Sequence, residues 1–191
     1  MFQTGTAVAL AAAMLSGGLP QGMLFMESHP PAKEWETYKV TDSNNLPLQL
    51  DPCFFRHRRD AGRVATRAVI YAAETELKYE QLVIYKNVRH AKRAMNLLRR
   101  DLTKCADVGK GVHRYRYFSK PLDVGDEGLR AGGLFFENGE HSVAVRRGAA
   151  VYIVGETASP TKSLPINRFR RLISQAEQMT IRVCELPKAS C

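Results

Sequence analysis

The chain has 191 residues, 45 % of them hydrophobic, and carries 28 Lys and Arg against 19 Asp and Glu, a formal net charge of +9. Its apolar share is enough for a packed core and excludes a chain that is disordered throughout, and its length suits one domain. The charge favours anionic partners (nucleic acid, anionic lipid or an anionic wall polymer) without selecting among them.

Residues 7–15 form an Ala-rich apolar run. It is too short to span a bilayer, which needs roughly 20 residues. Residues 1–6 lack the Lys or Arg that opens a signal peptide. The expectation is an Ala-rich helix at the start of a mature domain, with a degenerate signal region over residues 1–20 as the alternative. Gly17-Gly18, Pro20, Pro30-Pro31, Pro47 and Pro52 then break the chain into irregular structure, with one short strand over Glu36–Val40, where Trp35, Tyr38 and Val40 alternate with polar neighbours. Residues 1–48 are read as a helix plus irregular segment. Residues 49–191 are read as an α+β unit, the two together making one domain.

Residues 57–63 (HRRDAGR) have loop composition. Val64–Ala72 and Tyr79–Lys86 read as an antiparallel strand pair across a polar connection. Asn87 suits a helix N-cap, and Val88, Ala91, Ala94, Met95, Leu98, Leu102 and Cys105 recur on one helical face. Arg89, Lys92, Arg93, Asn96, Arg99, Arg100 and Lys104 occupy the other. VHRYRYFS from Val112 reads as a strand, and Pro121–Arg130 as a polar loop that becomes extended. His141–Arg147 and Ala149–Glu156 form a hairpin about Gly148, which can supply positive φ. A terminal helix is expected over Ile166–Leu186. Hairpin-joined strands with flanking helices predict an α+β fold: a central antiparallel sheet with helices packed on one face, stapled by disulfides.

The chain has no GxSxG elbow, HExxH pair or P-loop. His29, His57, His90, His113 and His141 are scattered, and no His–Cys set has zinc spacing. Asp123, Asp126 and Glu127 lie in a Gly-containing loop, where solvated or capping roles outweigh acid–base work. No catalytic activity, cofactor or metal is expected. The basic helix face could grip phosphates, although such a face is also the ordinary solvent surface of a helix. His113, Tyr115 and Tyr117 alternate with Arg114 and Arg116 without the Gly-Phe core of an RNA-recognition strand.

If Ala68, Ile70, Leu82 and Ile84 face the helices, the opposite sheet face presents Arg67, Tyr71, Gln81 and Tyr85, with Arg146 and Tyr152 added by the hairpin. Such a face is a candidate cleft for a small anionic ligand or a cell-wall component.

Four cysteines and no CxxC pair favour two disulfides and a compartment outside a reducing cytosol, with four buried thiols as the bland alternative. Cys53 with Cys105 and Cys184 with Cys191 is one connectivity; the two crossed pairings remain open.

Pro52-Cys53 before the sheet, EQLVIYKNVRHAKRAMNLLRRDLTKC from Glu80, VGDEGLR from Val124 and VAVRRGAAVYIV from Val143 are carried in fixed order. With the Ala-rich opening and the closing helix, they resemble the extracellular sensor domains of PknH-like mycobacterial Ser/Thr kinases and related secreted or lipid-anchored actinobacterial proteins, over most of residues 5–186. The resemblance implies an extracytoplasmic, secreted or surface-attached, non-catalytic signalling module with Cys53 and Cys105 as partners, and a sheet cleft that takes an unidentified ligand. No kinase or membrane-spanning segment accompanies it, so a free-standing sensor or an excised domain is expected. The Cys184/Cys191 pair and residues 18–48 stand outside the resemblance. The alternative is an intracellular basic nucleic-acid-binding protein.

Overall fold

The computed structural model describes residues 18–28, 32–53, 60–135, 138–159 and 161–191. The expected Ala-rich helix lies outside them, as do His29 and residues 57–59 of the 57–63 loop, while Arg63 begins β2. Strands β1 (Thr37–Asp42), β2 (Arg63–Ala72), β3 (Leu77–Tyr85), β4 (Asp107–Val108), β5 (Tyr115–Leu122), β6 (Glu127–Phe135), β7 (Asn138–Arg147) and β8 (Ala150–Ala158) form one sheet. Its order is β1-β2-β3-β8-β7-β6-β5-β4, antiparallel at every described pairing. The two strands of the expected N-terminal hairpin therefore reach the clear C-terminal hairpin through the long-range β3–β8 pair.

Every residue of β3 from Tyr79 to Tyr85 is buried. A strand is buried on both faces only where both faces of its sheet are covered. Helices α1 (Val88–Lys104) and α2 (Arg170–Arg182) supply that cover from opposite sides. Leu172, Ala176 and Met179 of α2 meet Val69, Leu82, Ile84, Val143, Val145, Tyr152 and Val154. Ala91, Ala94, Met95, Leu98 and Leu102 of α1 meet Val83, Leu129, Ala144, Val151 and Ile153. The α+β class holds, but the helices do not share one face as expected. The alternation of Leu82 and Ile84 with Val83 and Tyr85 offers apolar side chains to both sides, so each side requires its own cover.

Local chemistry sets the element ends. The Asn87 side chain accepts a hydrogen bond from His90 N at 3.1 Å and caps α1. Gly148 turns the β7–β8 hairpin at φ +55°; a Cβ there would lie 2.2 Å from the Ala189 carbonyl, because the C-terminal tail crosses the turn. The expected loop over 121–130 shrinks to residues 123–126, since β5 runs through Leu122 and β6 begins at Glu127. Beside α2, residues 18–28 also cover the sheet, through Leu19, Met23 and Leu24.

Cys53 bonds Cys105, and Cys184 bonds Cys191. The first bond joins the segment preceding the sheet to the end of α1 and closes a separation of 52 residues; the second closes 7. Chain entropy assigns about 4 kcal/mol to the longer loop and about 2 kcal/mol to the shorter. Urea unfolding of the Cys53→Ser/Cys105→Ser and Cys184→Ser/Cys191→Ser variants should show losses in that order, and a larger loss for the C-terminal pair would contradict this ranking.

Candidate functional site

The six residues expected on one open sheet face divide equally between two covered ones. In the β2–β3 register Arg67 stands opposite Leu82 and Ala68 opposite Gln81. Cross-strand partners share a face, so Arg67 and Tyr71 lie on the α2 side, and Tyr152, opposite Leu82, joins them. Gln81, Tyr85 and Arg146 lie on the α1 side. All six are buried. The expected sheet-face cleft is thereby corrected. β2 is buried or half-buried at every position, with no exposed face, so its sequence carries no alternation that could fix its phase against β3.

Each of these polar groups is engaged within the fold. Arg67 forms a two-pronged pair with Asp42 (2.7 and 2.9 Å), reaches Glu27 at 3.3 Å, and donates to the Pro20 carbonyl at 2.6 Å. Tyr71 hydrogen-bonds Glu36. Tyr152 donates to Glu80 Oε1 at 2.7 Å, and the same carboxylate accepts Phe25 N at 3.0 Å and Met26 N at 2.8 Å. Glu80 is 0 % exposed. Burial raises its carboxyl above the ordinary glutamate value, against the hydrogen bonds from Met26, Tyr152, Phe25 and Gln175.

On the other face Gln81 acts as a backbone surrogate. Its Oε1 accepts Gln49 N at 2.9 Å and its Nε2 donates to the Pro47 carbonyl at 2.9 Å. Arg146 binds Asp126 at 2.7 Å and Glu127 at 2.5 Å, and Arg99 of α1 reaches the same Glu127 at 2.6 Å. The VGDEGLR stretch is thus an ion cluster joining helix to sheet. Asp126 is partly desolvated, but hydrogen bonds from Gly148 N, Arg147 and Arg146 hold its carboxyl below the usual range.

With both faces filled, concave surface lies at the margins. Tyr115 OH donates to Glu140 at 2.8 Å, Ser142 Oγ to the same carboxylate at 2.7 Å, and Tyr79 to it as well, beside an open depression of about 350 Å³ at the sheet end. Those groups saturate one another. A more sheltered cleft of about 210 Å³ runs between α1 and residues 44–52. Leu46, Leu48, Leu50, Ala94, Leu97 and Leu98 form its apolar lining, with Asn44, Asn45, Asp60, Arg63 and Asp101 around them. Its outer wall is fastened at three places. Arg63 donates to the Leu46 carbonyl and pairs with Asp60, Gln81 holds Pro47 and Gln49, and Cys53 is bonded to Cys105. Tyr85 donates to Asp60 from below; its phenol is pushed well above the ordinary value, first by burial and then by that carboxylate.

Leu97 also lines a shallow groove on the outer side of α1, with Arg89, Lys92, Arg93, Asn96 and Arg100. Leu97 is the residue whose sequence position could have disclosed the cleft: it is apolar, yet lies off the buried stripe of the helix. The alternating Leu46, Leu48 and Leu50 sit among prolines in a stretch read as irregular, and their partner surface could not be named without the Cys53–Cys105 pairing. Among the described residues no group of three His, Cys, Asp or Glu side chains is placed to hold a metal ion, and no helix is long and apolar enough to cross a membrane.

Among solved structures, the chain is similar to the extracellular domain of PknH from Mycobacterium tuberculosis at 12 % identity and a TM-score of 0.44, over 78 % of this chain and 80 % of that one. It is also similar to a putative uncharacterised protein of Mycobacterium smegmatis, an Rv0999 ortholog, at 12 % identity and a TM-score of 0.38, over 80 % of this chain and 90 % of the other. These likenesses assign no residue a role. No protein-family model matches the chain, and no curated protein matches it.

The Glu80 environment has a pH signature. A carboxyl whose folded value is raised contributes stability that is fully present below the unfolded value, about 4.3, and is lost as pH rises through the folded value. In Glu80→Gln that titration is gone, and one of the Phe25 and Met26 amides loses its acceptor. The stability advantage of the parent over the variant, measured by urea unfolding from acid to neutral pH, should be largest in acid and shrink as pH rises. An advantage that grows with pH would contradict this.

Proposed function

We propose that this chain is an extracytoplasmic, non-catalytic binding domain of sensor type, and that it receives the apolar part of a small ligand in the cleft between α1 and residues 44–52. The observation that carries the site is the apolar lining of that cleft behind a wall fastened by Arg63, Gln81 and the Cys53–Cys105 bond. A preformed concavity with few polar groups around an apolar lining is the usual form of a small-molecule site. Location outside a reducing compartment is supported by the engagement of all four cysteines in disulfides, bonds that a reducing cytosol does not preserve. The same bonds weigh against the intracellular nucleic-acid-binding alternative. The non-catalytic reading rests on the absence from the sequence of any recognised catalytic motif and on the engagement of Asp126 and Glu127 as structural ion partners.

Titration with 1-octanol, followed through methyl NMR signals, tests the site. Saturable shifts are expected at Leu46, Leu97 and Leu98, and Leu97→Trp, which projects into the cleft, should weaken them about tenfold, equivalent to ~1.4 kcal/mol. Shifts that never saturate, or that centre elsewhere, would overturn the assignment of the cleft.

A further inference from the structure

The cleft and the cationic groove on α1 meet at one residue, Leu97, which lines both. Helical spacing makes this contact a necessity. Arg93 lies four residues before Leu97 and Arg100 three residues after it, so both flank Leu97 on the helix surface. Arg89 continues the same row, and Lys92 and Asn96 form the adjacent one. Arg89, Lys92 and Arg93 make no ion pair or hydrogen bond with any described residue, and Arg100 has only a long contact of 3.8 Å with Asp101. Among the other described arginines, Arg63, Arg67, Arg99, Arg114, Arg146, Arg147 and Arg171 pair with carboxylates, and Arg130 and Arg182 donate to backbone carbonyls. Arg116, Arg168 and Arg170 share with the groove the lack of a carboxylate ion pair among the described residues, but do not line it. The uncompensated positive charge of this groove is therefore placed beside the cleft mouth.

Size decides how the two surfaces combine. The cleft offers about 210 Å³. Complete small-molecule sites occupy roughly 300–1,000 Å³. The cleft can enclose part of a ligand, and what remains must continue outside it. Past Leu97, the outside is the groove of Arg89, Lys92, Arg93 and Arg100.

The geometry points to a single-chain anionic amphiphile as the ligand class: an apolar tail held among Leu46, Leu48, Leu97 and Leu98, and a phosphate-like headgroup held by Lys92, Arg93 and Arg100. This inference rests on the cleft assignment above and adds the chemistry of the headgroup. Guanidinium groups suit a phosphate because their N–H donors match its oxygens in pairs, while the Lys92 ammonium supplies a point charge. The tail supplies affinity by leaving water, and the head fixes direction. In the cleft lining Arg63 neutralises Asp60, and Asp101 opposes entry of the headgroup itself, so the tail goes in first.

Octyl phosphate, 1-octanol and inorganic phosphate, each used as monomer, separate the parts. Calorimetry at low salt should show octyl phosphate binding about tenfold or more tightly than either of the others, with the advantage over octanol falling as salt screens the exposed charges. Lys92→Gln/Arg93→Gln/Arg100→Gln should bring octyl phosphate down to the octanol level and leave octanol binding unchanged. These are exposed helix positions, and an unchanged unfolding curve verifies the fold. Equal affinity for octyl phosphate and octanol in the parent protein would overturn the headgroup assignment while leaving the cleft standing. Inorganic phosphate binding as tightly as octyl phosphate would show an anion patch that takes no tail. Absence of saturable binding by octanol and octyl phosphate alike would remove the cleft assignment as well.

Discussion

Two neighbouring side chains in β3, Glu80 and Gln81, hold the coverings of the sheet in place. Adjacent residues of a strand point to opposite faces. Both side chains are fully buried, and a buried polar group without a partner costs about 1–3 kcal/mol, more when it is charged. Each is therefore obliged to find hydrogen bonds inside its own layer. Glu80 finds them at the Phe25 and Met26 amides and the Tyr152 hydroxyl. Gln81 finds them at Pro47 and Gln49. Segments 18–28 and 44–52 have no extended regular structure of their own, and their backbone groups need partners as much as the two side chains do. The match is reciprocal, so one dipeptide fixes an irregular segment on each side of the sheet.

The candidate site follows from this arrangement. A two-sided core leaves no sheet face open, so concave surface must form where an irregular segment stands away from a helix. Gln81 sets the depth of the 44–52 wall, Arg63 holds its start, and the Cys53–Cys105 bond holds its end against α1. These contacts are internal to the fold, so they order the wall independently of any contact a ligand would make. The disulfide thus has two roles: it restricts the unfolded chain and it positions one side of the cleft.

Local signals in the sequence proved reliable. Asn87, the apolar stripe from Val88 to Leu102 and the Gly148 hairpin each depend on residues a few positions apart, and each appears where those residues placed it. What could not be read was the consequence of pairing at a distance. The β3–β8 pair makes β3 a central strand, and covers on both faces of the sheet bury its two sides, which removes the alternation that would have set the phase of β2 and separated Arg67 from Gln81. Polar residues in such strands look like a ligand surface in the sequence, yet here they are the internal fasteners. Hairpin-joined strands with flanking helices point to cover on one face; Val83 and Tyr85 are as buried as Leu82 and Ile84, so the opposite face has its own cover. The cleft was not foreseen; the one signal for it in the sequence is Leu97, an apolar residue off the buried stripe of α1.

Amide hydrogen exchange of Glu80→Met and Gln81→Met tests the central claim most directly, because methionine keeps the length of both side chains and removes their hydrogen bonds. If each residue fastens its own covering, Gln81→Met speeds exchange across 44–52 and leaves 18–28 at the parent rate, while Glu80→Met does the reverse. Loosening of both segments by either variant, or of neither by both, would contradict the account and place the hold on these segments elsewhere in the fold.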